Sequence, residues 1–155
     1  MAPTIFLIRH GEQDAAGGSD LTVDGFDRAR YLPRVFGDSS QYNIGYIIAE
    51  RPMRDGTNAS SSSTVAPLAA TLGIVVDSFG ADQLGSVANA AKTYHGDGNV
   101  LVCFKHEELS KIAHELGVSG NPKFPGDRYD IIWAIQEPYH KIAQVSSEAV
   151  PGLDD

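Results

Sequence analysis

The sequence predicts a single three-layer α/β/α domain with a mostly parallel central sheet, spanning residues 1–155. Three observations carry this reading. Short, nearly continuous apolar runs recur along the chain, as strands buried on both faces require. Segments with apolar residues at helical spacing alternate with those runs. The 155 residues, 42% of them hydrophobic, suit one core.

The first strand is Thr4, Ile5, Phe6, Leu7 and Ile8, and it stops at Arg9, His10, Gly11 and Glu12. Residues 13–20 are small, polar and glycine-rich, so they read as a loop. Asp24 opens a helix running to about Val35, with Pro33 expected to bend or end it. Residues 44–49 form a second buried strand, and residues 50–62 a long loop of the kind that carries function. Residues 64–72 read as a helix closed by Gly73, and residues 74–76 as a short strand. A helix is expected over 84–94, a strong strand over 99–104, and a helix over 106–116 closed by Gly117. A strand over 130–135, with Trp133 in the core, and an edge strand over 142–145 complete the sheet. The tail from Glu148 reads as loose.

A net charge of −8, with no Lys/Arg cluster, excludes nucleic acid as the main partner, because a polyphosphate backbone requires a basic face. The lone cysteine, Cys103, permits no intrachain disulfide and reads as a buried thiol in an apolar strand. No apolar stretch approaches the roughly 20 residues that span a bilayer. The first residues lack the basic region and the apolar length of a signal peptide. A cytoplasmic protein with no membrane partner is therefore expected, either monomer or homodimer. No spacing of His, Cys and carboxylates suits a metal, so neither metal nor cofactor is expected.

In open parallel sheets, ligands bind beyond the carboxyl ends of the strands. Arg9 to Glu12 follow the first strand, Glu50, Arg51 and Arg54 the second, and Lys105, His106 and Glu107 the strand ending at Phe104. Two histidines and several cations thus gather at one sheet edge, which suggests phosphoryl transfer. An imidazole can attack phosphorus when neutral, and nearby cations lower its pKa. Arginine meets two phosphoryl oxygens with one planar fork. Gly11 lets backbone approach a ligand closely, and His106 opens a helix whose N–H groups favour an anion.

An apolar strand ending in R-H-G-E, followed by L-T-x-x-G-x-x-R-A (Leu21, Thr22, Gly25, Arg28, Ala29), resembles the opening of the histidine phosphatase (phosphoglycerate mutase-like) superfamily. T-V-A-P-L-A-A-T-L-G from Thr64 is similar to that family's second helix, and V-L-V-C-F-K-H from Val100 to the strand carrying its second histidine. The likeness is greatest to short fungal members, which share the endings around Ile131, Ile132 and Trp133 and around Pro151, Gly152 and Leu153. The resemblance implies that His10 is the nucleophile, that Arg9 and His106 bind phosphoryl oxygens, and that Glu12 shapes the pocket mouth. It implies a proton-donating carboxylate after the third strand, here Asp82 or, next, Asp77. It also implies a second clamping arginine four residues before Thr64, where this chain has Ser60. Losing a bidentate pair costs roughly 3 kcal/mol of transition-state stabilisation, about a hundredfold in rate. Arg51 or Arg54 is the available substitute.

The expected function is a phosphohydrolase acting on a small phosphorylated or anionic metabolite through phospho-His10. The alternative is a repurposed fold that binds an organic metabolite, such as an isomerase or cyclase with His10 and His106 as acid and base. A third reading is an interaction protein retaining the pocket as a relic. A mutase is disfavoured, since it must hold two anionic groups with too few basic residues.

Overall fold

The computed structural model describes residues 2–14 and 20–155. Of the loop expected over 13–20, residues 15–19 lie outside the described residues. Six strands and four helices alternate: β1 (Ile5–Arg9), α1 (Val23–Phe36), β2 (Ile44–Glu50), α2 (Ser60–Leu72), β3 (Asp77–Phe79), α3 (Leu84–Thr93), β4 (Asn99–Phe104), α4 (His106–Leu116), β5 (Ile131–Ile135) and β6 (Gln144–Ser147). The sheet order is β3-β2-β4-β1-β5-β6. Strands β3, β2, β4 and β1 run parallel, while β5 and β6 join antiparallel.

The period-2 alternation of strand side chains divides the core into two layers. Ile5 and Leu7 of β1, with Val100, Val102 and Phe104 of β4, pack under α3 and α4 with Leu109, Ile112 and Trp133. Phe6 and Ile8, with Leu101 and Cys103, face α1 and α2 and meet Leu32, Phe36, Val65 and Leu68. Every residue of β1 is buried, which is why it reads as an unbroken apolar run. Cys103 is fully buried, and that burial pushes its thiol pKa up.

Helix α1 ends at Phe36, close to its expected end, and runs through Pro33 with Leu32 and Phe36 fully buried on either side of it. Three expectations need correction. Helix α2 begins at Ser60 rather than Thr64, so the serine run is its first turn and not part of a loop. The third strand lies at 77–79, not 74–76. Its register is set by pairing Asp77 with Ile48, and Val75 is left exposed. The tail is fastened rather than loose.

That fastening is a buried ion cluster. Arg28 of α1 is 1% exposed. It grips Glu12 with two hydrogen bonds of 2.9 and 2.8 Å. It also donates to Glu148 (2.8 Å) and to both oxygens of Asp154 (3.0 and 2.7 Å). Three carboxylates around one guanidinium leave surplus negative charge. Burial, the largest influence, pushes the Glu148 carboxyl up to about 8 against the opposing pull of Arg28. A carboxyl raised on folding gives stability that is full below the unfolded value of about 4.3 and lost as pH rises through the folded value. Stability should therefore decline between about pH 4.5 and 8 through this group. Urea denaturation across that range should show the decline, and Glu148→Gln should flatten it. An unchanged slope in Glu148→Gln would refute this assignment.

Candidate active site

The parallel pairing of β1 with β4 aligns Arg9 with Phe104, and the His10 N–H donates to the Phe104 carbonyl (3.3 Å). The two strands therefore deliver Arg9–His10 and Lys105–His106 side by side at their carboxyl ends. Arg9 and His10 are 8% and 4% exposed. His106, the first residue of α4, is more open.

Arg9 is held in three ways. Its Nη1 donates to the carbonyls of Gly126 (2.8 Å) and Arg128 (3.4 Å). Its guanidinium carbon lies 4.1 Å from the centre of the Tyr129 ring, a cation–π arrangement. Its Nε–H is buried with no partner. Gly126 also abuts the second histidine, since a Cβ built there would sit 2.6 Å from His106 Nε2. The segment 126–129 is thus where Arg9 and His106 meet.

His10 Nδ1 lies 2.7 Å from the Gly11 carbonyl. A carbonyl only accepts, so Nδ1 carries the proton and Nε2 keeps its lone pair. Burial, first, and then the charges of Arg9, Lys105 and His106 lower the His10 pKa to about 4, against the raising effect of the Gly11 bond. At neutral pH the ring is an uncharged nucleophile or base with one oriented lone pair.

The Gly11 N–H donates to Thr64 Oγ1 (2.8 Å), which in turn donates to the Ser60 carbonyl (2.7 Å). This relay ties the turn after β1 to the first turn of α2. Gly11 is not open to a ligand as expected. It lies against the backbone of α1, where a Cβ would come within 3.1 Å of the Gly25 carbonyl. Gly25 is tighter still, 2.3 Å from the Glu12 carbonyl by the same construction. The two glycines allow two backbones to cross.

Both oxygens of Glu12 are held by Arg28. Arg51 and Arg54 do not converge on His10. Both are exposed, and the Arg51 guanidinium donates to the Ser78 carbonyl beside β3 (2.9 Å). Ser60 is buried at the start of α2, and its hydroxyl has no partner. Asp82 is exposed and lines a cleft of about 980 Å³ together with His106, Leu84, Lys111, Lys123 and Phe124. His10 and Arg9 are buried and do not line this cleft. Asp77 accepts from the Tyr46 hydroxyl (2.5 Å).

Sequence reasoning missed Tyr129, Gly126, Thr64 and the role of Lys105. Lys105 faces buried Glu50 at 3.9 Å, and Glu50 also accepts from Asn58 (2.7 Å). Glu108 was missed as well. Burial, then Glu50, raises its carboxyl pKa and favours the protonated form. Among the described residues, no cluster of His, Cys and carboxylates is placed to hold a metal, and no helix is long and apolar enough to cross a membrane.

No protein-family model matches the sequence, and no curated protein matches it. Solved structures do match. The protein histidine phosphatase SixA, complexed with tungstate, superposes with a TM-score of 0.62 at 18% identity, over 94% of this chain and 97% of that one. A candidate alpha-ribazole-5'-P phosphatase from Escherichia coli gives a TM-score of 0.67 at 13% identity, over 97% and 98% of the two chains. A mycobacterial glucosyl-3-phosphoglycerate phosphatase with inorganic phosphate gives 0.61 at 13% identity, over 96% and 100%. The chain therefore has the fold of the phosphoglycerate mutase-like histidine phosphatases.

Proposed function

We propose that this chain is a phosphohydrolase that removes the phosphoryl group from a small phosphorylated metabolite through a phosphohistidine at His10. The observation that carries this is the state of His10: neutral, buried, and held by Gly11 so that only Nε2 is free, beside Arg9. The similar structures held with tungstate and inorganic phosphate support a tetrahedral oxyanion here.

In the first step the Nε2 lone pair attacks phosphorus. The bond to the leaving oxygen breaks, and that oxygen takes the electron pair. It takes its proton from a carboxyl on the cleft wall, assigned to Asp82. In the second step water attacks phosphorus and gives its proton to the same carboxylate. The N–P bond returns its electrons to Nε2, and inorganic phosphate leaves. The Arg9 guanidinium and His106 bind the phosphoryl oxygens throughout, so the charge that spreads over them meets preformed donors.

Rapid quench into alkaline detergent, with a phosphorus-labelled aryl phosphate as substrate, should trap one phosphohistidine per chain in the wild type. An absence of both label and turnover across a broad phosphomonoester panel would sink the reading. A second reading is favoured by one observation: Arg51 and Arg54 are exposed, Arg51 is bonded to the Ser78 carbonyl, and serine stands at position 60. On that reading His10 and His106 act as acid and base on a non-phosphorylated organic anion. Crystals soaked in phosphate separate the two, since phosphate held at His10 argues against it.

A further inference from the structure

We infer that residues 125–129 are a strap that closes the site by occupying Arg9, and that the closed strap and a bound oxyanion exclude one another. The inference rests on the phosphohydrolase reading for what enters beneath the strap.

The strap is anchored at both ends. Before it, Phe124 is buried, its N–H donates to Ser110 Oγ (2.8 Å), and its ring packs on Trp133 at 4.7 Å. After it, Asp130 is buried. The Asp130 carbonyl accepts from the Glu148 N–H (2.7 Å) and its carboxylate from the Ser147 hydroxyl (2.6 Å). The five residues between have no regular structure, and Gly126, Asp127 and Arg128 are exposed. Among the described residues, the only hydrogen bonds made by their backbone are the two from Arg9, to the Gly126 and Arg128 carbonyls. The Tyr129 ring lies over the same guanidinium. A short exposed segment between firm anchors opens at low cost. The main chain of this one is held down by a single side chain, the cation that is to receive the substrate.

A cavity lies on each side of the strap. On the Gly126 side is the cleft of about 980 Å³ that His106 also lines. On the other side is a cavity of about 350 Å³, walled by Glu12, Asp127, Arg128 and Tyr129. Arg9 and His10 are buried and line neither. The reacting groups therefore lie beneath a bridge between two open spaces.

A phosphoryl group at His10 needs two things that the closed strap withholds. It needs room beside His106, where Gly126 packs so closely that a Cβ would sit 2.6 Å from Nε2. It also needs the Arg9 donor now given to two carbonyls. In the empty site those carbonyls stand in for phosphoryl oxygens and keep a buried cation from lying unpaired. Lifting the strap frees Arg9 and His106 together, and joins the two cavities across the nucleophile. An oxyanion that binds only the open form pulls the population toward it.

Two measurements with inorganic phosphate test this at pH 7. The first is calorimetric titration of the wild type and Gly126→Ala. The added methyl clashes with His106 only while the strap is closed, so the variant should favour the open form. Its phosphate affinity should rise about tenfold, the gain expected when a form populated about one part in ten becomes dominant. The second is limited trypsin digestion of the wild type, following the bond after Arg128 by mass spectrometry. Phosphate should speed that cut several-fold over potassium chloride of equal ionic strength, whereas a ligand that tightens a closed site slows it. If Gly126→Ala does not fold, the digestion decides alone.

Phosphate that protects the bond after Arg128, or that binds Gly126→Ala no more tightly than the wild type, would overturn the strap. If phosphohistidine still forms in that case, the phosphohydrolase reading stands without it. Tighter phosphate binding by Gly126→Ala, in a chain that turns over no phosphomonoester, would uphold the strap and sink the phosphohydrolase reading. Phosphate bound by neither form would sink both.

Discussion

Replacing His10 with alanine should abolish phosphohistidine formation and lower phosphomonoester turnover by on the order of 10⁴- to 10⁶-fold, the range seen when a covalent nucleophile is removed. The size follows from the site's construction. No other described side chain offers an oriented, uncharged lone pair next to Arg9. His106 has its Nδ1 at Glu107 and its Nε2 against Gly126. On the proposed mechanism, the residual rate would come from Arg9 and His106 binding the phosphoryl group for direct attack by water. Stability should change little, because the lost bond to the Gly11 carbonyl contributes only about 1 kcal/mol. Steady-state kinetics and a melting curve on the same sample check both halves. A variant that keeps more than a tenth of wild-type turnover would show that the chemistry lies elsewhere.

Arg28→Met should destabilise the chain by about 3–5 kcal/mol, the usual cost of removing one partner from a buried ion cluster. For a chain of this length that is a fall in Tm of roughly 10–15 °C. Methionine matches the volume of the aliphatic stem but leaves Glu12, Glu148 and Asp154 facing one another without a cation. Arg28→Lys should fall between, since an ammonium keeps the charge but cannot grip three carboxylates in one plane. Limited proteolysis should then cut residues 149–155 faster, because Asp154 loses its anchor. A Tm within about 3 °C of the wild type would mean that the cluster contributes little.

The two predictions bear on different parts of what the sequence makes legible. β4 and α4 match their predicted ranges because unbroken apolar runs and a glycine in the left-handed region leave local marks, as at Gly117 with φ 119°. That Arg9, His10 and His106 come together at one rim is legible because a parallel sheet puts strand ends side by side. What was missed depends on partners far away in the chain. Arg28 meets Asp154 across 126 residues, so nothing local marked the tail as anchored. Residues 126–129 carry no regular structure, so no periodicity could announce that Gly126 and Tyr129 would hold Arg9. The start of α2 was hidden because serine is a weak helix former in the interior, yet is well tolerated in a first turn. β3 is an edge strand of three residues. Its position follows from register against β2 and not from the apolar run just before it.

Cys103 gives the molecule an internal clock. A single thiol walled into the middle of the sheet, with its ionisation suppressed, is invisible to an aromatic disulfide reagent while the layers stay closed. Each labelling event therefore records one opening of the sheet, and the rate at saturating reagent measures how often the layers part.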